Sequence, residues 1–146
     1  MNTTVDYLIS QKEHVLYTAS LNTTVEDAVK EMNQREIGFL MILCSSQLAG
    51  VFSERDVLVR VVAAGVDPKT TKMSEVMSTN LRTITPEDTA EKALEVMTEH
   101  RCRHLPVMRD DQLIGLLSIG DVTRWIAQTH QLEADHLRNY VTGTPG

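Results

Sequence analysis

Shifting the sequence by 65 positions lays residues 18–60 over residues 83–125 without a gap. Twelve of those 43 pairs are identical: Thr18/Thr83, Thr24/Thr89, Glu26/Glu91, Ala28/Ala93, Met32/Met97, Leu40/Leu105, Gln47/Gln112, Leu48/Leu113, Gly50/Gly115, Ser53/Ser118, Asp56/Asp121 and Val57/Val122. Chance, at roughly 5–9% per position for common residues, supplies far fewer. Val29/Leu94, Ile42/Val107 and Val51/Leu116 are like for like. The chain is therefore two copies of one unit, and only a fold that accommodates a duplication fits it. Gly65 to Lys72 is polar, with Gly and Pro as breakers, and reads as the linker. The expected organisation is a first repeat with an N-terminal segment (1–64), a linker (65–72), a second repeat (73–130) and a C-terminal extension (131–146).

Each copy reads as β-α-β-β-α. A short extended piece comes first, Val15–Ala19 or Leu81–Ile84. Thr23 and Asp88, each followed three residues later by Glu26 or Glu91, have the capping-box pattern of a helix start. Ala28, Val29 and Met32, like Ala93, Leu94 and Met97, then line one helix face. The apolar runs Phe39–Cys44 and Leu105–Met108 are too short for helices and fit buried strands. Polar turns lead to second strands, Leu48–Phe52 and Leu113–Leu117, and to closing helices, Glu54–Ala64 and Ile119–Gln128. Residues 131–146 read as a polar helical extension that frays at Thr142–Gly146. The fold class is mixed α/β (α+β). One unit alone buries little surface, so the two copies are expected to cover each other about a pseudo-two-fold axis, leaving two related clefts.

Composition narrows the function. The formal net charge of -6 disfavours non-specific binding to nucleic acid or to an anionic membrane. The longest apolar run, Phe39–Cys44, is far short of the ~20 residues that span a bilayer. With two cysteines, Cys44 and Cys102, there is no disulfide scaffold. Met1 to Asp6 has no basic start followed by an apolar stretch. These features lead us to expect the reducing cytoplasm.

The segments Gly50-Val51-Phe52-Ser53-Glu54-Arg55-Asp56 and Gly115-Leu116-Leu117-Ser118-Ile119-Gly120-Asp121 both read Gly, two apolar residues, Ser, two variable residues, Asp. Each lies where a strand gives way to a helix. Unpartnered N–H groups at a helix start favour a phosphate, and a serine hydroxyl adds a donor. An aspartate one turn inside can accept hydrogen bonds from the 2′- and 3′-hydroxyls of a ribose. Gly lets another group approach the strand backbone. The plainer alternative is that Ser-x-x-Asp merely caps the helix. Its recurrence in both copies, with a Gly three residues before the Ser that capping does not require, weighs against that alternative.

These segments, together with Thr-Val-Glu-Asp-Ala (24–28), Thr-Ala-Glu-Lys-Ala (89–93) and His104-Leu105-Pro106-Val107, resemble the cystathionine-β-synthase (CBS) domain, and residues 8–128 resemble a tandem CBS pair, the Bateman module. The resemblance implies a regulatory module, not an enzyme, that binds an adenosine-containing ligand: AMP, ADP or ATP, with NAD(H) or S-adenosylmethionine as alternatives. Carried over, Asp56 and Asp121 hold ribose, and Ser53 and Ser118 hold phosphate. The base lies near Thr18, Ala28 and Ile37-Gly38-Phe39 in one copy, and near Thr83, Ala93 and Cys102-Arg103-His104 in the other. Each cleft in this family is usually lined by both repeats.

The copies also differ. Arg101, Arg103 and His104 stand where the first copy has Glu36, Gly38 and Phe39; Pro106 replaces Met41, and Gly120 replaces Arg55. Arg55, Arg103 and His104 are the expected phosphate neutralisers, although each also reads as an ordinary surface charge and His104 as a half-buried structural residue. His100 with His104, and His130 with Asp135 and His136, lack a full ligand set, so no metal is expected. No Walker-type loop or activated nucleophile occurs. Val122, Trp125 and Ile126 form an apolar stripe, either core or a chain–chain contact. The expected partners are an adenosine ligand, a separate target protein and a second copy in a homodimer. The competing reading is a protein–protein interaction module with no nucleotide site.

Overall fold

The computed structural model describes residues 3–12 and 15–142. The chain opens with a short helix, α1 (Val5–Ser10), which the sequence pattern does not announce. The first repeat then runs β1 (Thr18–Ser20), α2 (Val25–Arg35), β2 (Phe39–Cys44), β3 (Gln47–Ser53) and α3 (Glu54–Asp56). α3 widens at once into a π-helical stretch, Val57–Val62, where Ala63 N–H reaches back five residues to Leu58 C=O at 2.9 Å. After the linker come a single helical turn, α4 (Met73–Val76), then α5 (Ala90–His100), β4 (His104–Arg109), β5 (Gln112–Ser118) and α6 (Ile119–Thr142). The expected closing helix and its extension are thus one continuous α6; of the expected frayed end Thr142–Gly146, Thr142 is helical and 143–146 lie outside the described residues.

The helix starts differ by one residue from the sequence expectation. Thr24 and Thr89 are the N-caps, their hydroxyls accepting from Asp27 N–H at 3.2 Å and Lys92 N–H at 3.1 Å. Thr23 and Asp88 instead close the turns before them, accepting from Ser20 N–H and Thr85 N–H. Both positions carry oxygen-bearing side chains next to a threonine, so pattern alone does not separate them.

In the first repeat β1 pairs parallel with β2, and β2 pairs antiparallel with β3. Ser45 and Ser46 take positive φ in the β2–β3 turn, as Asp110 does in the β4–β5 turn. The second repeat has β4 beside β5, but its expected first strand shrinks to one parallel bridge, Ile84 to Val107. Proline explains the loss. In the first repeat Met41 N–H donates to Tyr17 C=O at 3.2 Å. Pro106 holds the matching position and has no N–H to give, so that rung is missing.

The contacts group the chain into two compact units. One comprises the described residues of Met1–His14, Ile84–Val107 and Leu116–Gly146; the other comprises Val15–Thr83 and Met108–Gly115. In the second of these, Val25, Ala28, Met32, Leu40, Ile42, Phe52, Val61, Met73 and Val76 form one buried cluster. Met73, the expected start of the second repeat, is therefore core in the unit that holds the first repeat. Met73 N–H bonds Thr23 C=O at 2.8 Å, and Val25 N–H bonds Thr71 C=O at 2.9 Å, fixing the segment before α4 against the start of α2. The other unit uses the same device with residues 3–12. Ala90 N–H bonds Thr3 C=O, Val5 N–H bonds Asp88 C=O, both at 2.8 Å, and α1 packs on α5 and α6. Val5, Leu8 and Ile9 are buried there. Of the C-terminal stripe, Val122 is fully buried and Trp125 half-buried, its indole N–H bonded to Thr3 Oγ1 at 3.0 Å.

Candidate functional site

β3 and β5 each deliver a serine at the last strand position, and the helix that follows returns an aspartate three residues later. At the first junction Ser53 N–H donates to Asp56 Oδ2 at 2.9 Å, Asp56 N–H reaches Ser53 Oγ at 3.4 Å, and the Ser53 hydroxyl bonds Asp56 Oδ2 at 3.2 Å. At the second, Ser118 N–H donates to Asp121 Oδ2 at 2.8 Å and Asp121 N–H to Ser118 Oγ at 3.2 Å. Both pairs are reciprocal capping boxes. Glu54 N–H donates to Gly38 C=O at 3.1 Å, and Ile119 N–H to Arg103 C=O at 2.8 Å. Much of the helix-start donor set is therefore used internally, and a phosphate there would depend on the remaining N–H groups and on nearby cations.

The two carboxylates have different surroundings. The Asp56 side chain is 14% exposed and meets Arg60 Nε at 3.4 Å; the same Arg60 bonds Met77 C=O at 3.3 Å. The Asp121 side chain is 5% exposed, meets Lys12 Nζ at 2.6 Å through Oδ2, and has Arg124 at 3.5 Å from Oδ1. Burial acts to raise the Asp121 pKa, but the hydrogen bonds from Lys12 and from Ser118, with the charge on Lys12, overcome it and hold the carboxyl below its usual range. His104, half-buried nearby, is held below the usual histidine value, first by burial and then by Lys12, with Arg103 adding and Asp121 opposing. Neither Lys12 nor Arg60 stands out in the sequence; Lys12 lies 109 positions from its partner.

Gly50 shows the close approach that its motif suggested. A Cβ there would sit 2.6 Å from Met77 Sδ and 2.9 Å from Ser78 C=O. The group that approaches is the chain itself: Val51 and Ser78 exchange two backbone hydrogen bonds, 3.0 and 2.8 Å long.

A family model for the CBS domain matches the chain twice, at residues 12–63 and 73–128. The chain belongs to the CBS-domain family. Among curated relatives, a mitochondrial CBS domain-containing protein of Arabidopsis thaliana, CBSX3, is 39% identical over 125 residues, covering 82% of this chain and 61% of its own length. The Bacillus subtilis CBS domain-containing protein YhcV is 34% identical over 105 residues, covering 72% of this chain and 74% of its own. Among solved structures, a protein with CBS domains from Burkholderia ambifaria superposes with a TM-score of 0.81 at 36% identity, covering 85% of this chain and 93% of the other.

Other residues expected at the CBS sites fall as follows. Thr18, Ile37, Gly38 and Phe39 are half-buried and share a unit with Ser53, Asp56, the exposed Arg55 and the exposed Thr83. Cys102, His104 and Ser118 are half-buried, and Arg103 exposed, in the unit of Asp121. Ala28 and Ala93 are core residues, 1% and 0% exposed, and Pro106 is buried within β4. An open groove of about 610 Å³ lies between α2 and the segment after β3, lined by Val29, Met32, Ile37, Val57 and Leu58 with Glu36 and Glu54. Beside it Leu58, Val59 and Val62 are 55–67% exposed. Neither Cys44 nor Cys102 is joined in a disulfide. Among the described residues no three or more His, Cys, Asp and Glu side chains gather as a metal site, and no helix is long and apolar enough to cross a membrane.

Proposed function

We propose that this CBS pair is a regulatory module that binds an adenine nucleotide, with AMP, ADP or ATP the favoured ligands, and modulates a separate protein without catalysing a reaction. One observation carries the reading: in both repeats an aspartate is fixed at a strand–helix junction, largely out of water, at the position where the family places its ribose-binding acid. A carboxylate already oriented by a backbone N–H needs no reorganisation to accept two vicinal hydroxyls through its free lone pairs. Ligand that binds one packing of the repeats better than another shifts the population toward it, and a target protein reads the shift. The module works as a homodimer in the cytoplasm; the exposed Leu58, Val59 and Val62 supply apolar surface for the second copy.

Titration calorimetry with AMP, ADP, ATP, NADH and S-adenosylmethionine tests the proposal. Binding of at least one is expected, and Asp56→Asn or Asp121→Asn should weaken it by on the order of 1.5–3 kcal/mol, about ten- to a hundredfold. A second reading, a ligand-free interaction module, draws on the completeness of the two capping boxes, which gives each Ser and Asp a structural role without a ligand. No binding to any of the five compounds would decide for it.

A further inference from the structure

The Asp121 junction carries more positive charge than its own cap requires. The Asp56 box closes with a single arginine from its own helix. Asp121 has Arg124 from its own helix and, in addition, Lys12 from the N-terminal segment, while Arg103 and Lys12 both act on the adjacent His104. Arg60 is to Asp56 what Arg124 is to Asp121, but Arg103 and Lys12 have no counterpart in the first repeat: Gly38 stands for Arg103. Lys12 lies eight residues beyond Thr4, which bridges Thr89; eight residues beyond Lys72, which bridges Thr24, is the uncharged Asn80. One carboxylate meeting both Lys12 and Arg124 leaves an electropositive surplus.

Lys12 is the cation closest to that carboxylate. Its ammonium has three N–H donors, and Asp121 Oδ2 takes one of them at 2.6 Å. Its side chain remains 32% exposed, so the head is reachable from solvent. A ribose held by Asp121 would carry its 5′-phosphates within about 8 Å of this charge, the distance over which charges still act at physiological salt. Each phosphate charge added would gain from it, and an uncharged nucleoside nothing.

Resting on the nucleotide reading above, we propose that Lys12 is a specificity-determining residue that makes the Asp121 site select its ligand by phosphate charge, favouring nucleoside di- and triphosphates over monophosphate and free nucleoside. The test is calorimetry with adenosine, AMP, ADP and ATP on the full chain in an Asp56→Ala background, which leaves one ribose carboxylate. Affinity should climb with phosphate number and fall with added salt. Lys12→Met should cut the preference for ATP over adenosine about tenfold, and Lys12→Arg should restore the preference. Trp125 fluorescence in urea, run in parallel, reports whether each variant is folded. A preference unchanged by Lys12→Met, or equal losses for ATP and adenosine, would overturn the selector role and leave the nucleotide reading standing. Parent chain that binds none of the four compounds would overturn both.

Discussion

Leu8→Ala tests whether a segment ahead of the first repeat is part of a core. Leu8 is 6% exposed on α1, between Val5 at 0% and Ile9 at 5%. Nothing in the repeat pattern requires residues 3–12, yet α1 packs on α5 and α6 and is tied to the segment before α5 through Asp88 and Pro86. Replacing a buried leucine by alanine removes three carbons, about 2–2.5 kcal/mol of transfer free energy, and leaves a partly relaxed cavity. The expected loss is therefore about 3 kcal/mol. For a chain of this length each kcal/mol lowers Tm by about 3–4 °C, so the transition should fall by about 10 °C. Urea unfolding followed by fluorescence of the single tryptophan is well placed, because Trp125 lies on α6 and bonds Thr3. Tyr7, 55% exposed on the same helix, is the internal control, and Tyr7→Ala should stay within about 0.5 kcal/mol. A Leu8→Ala loss below 1 kcal/mol, or one equal to that of Tyr7→Ala, would show that α1 is an ornament and not part of the core.

Met73→Ala should destabilise by about 2–4 kcal/mol despite its place beside the linker, since Met73 is fully buried among Val25, Leu40 and Phe52; circular dichroism in urea measures it. Gly50→Ala should cost about 1–3 kcal/mol, because the new Cβ overlaps Met77 and the Ser78 carbonyl, and amide exchange at Val51 and Ser78 should speed up as their pairing opens. The pH dependence has two parts of opposite origin. Asp121, held below its usual range in the folded chain, contributes stability that is present above about pH 3.8 and is lost as pH falls through its lower folded value; Asp121→Asn should remove that acid-side loss. His104 resists protonation when folded, so below about pH 6.5 the unfolded chain binds the extra proton and stability declines on acidification until the lower folded value is passed; His104→Gln should flatten the urea midpoint between pH 5 and 7.

Strongly periodic elements were readable without coordinates. Phe39–Cys44 is a strand to the residue, and Ala28 with Met32, and Ala93 with Met97, are the buried face of the helices they were expected to line. The duplication itself located both Ser-x-x-Asp junctions. What escaped was set by pairing across the sequence. Lys12 meets Asp121 only because α1 lies against the second repeat, and no local pattern marks that. Arg60 faces Asp56 from four residues on, an ordinary spacing that many helical pairs share. The π-helical stretch after Asp56 breaks the 3.6-residue period that the sequence suggested, and leaves Leu58, Val59 and Val62 in solvent. The missing strand of the second repeat could have been foreseen, since Pro106 withdraws the donor that Met41 supplies.

The interleaving of the two units also bears on how the chain is made. Residues 3–12 leave the ribosome well before the surfaces they cover, which begin at Ile84. At roughly 5–20 residues per second, α1 waits about 4–15 s before even the first of that segment is translated. No single peptide bond divides the chain into two whole units, so the halves cannot mature one after the other as independent beads. Closure of such distant contacts is slow relative to helix formation, and during that interval the apolar side of α1 is open to whatever chaperone or nascent neighbour reaches it.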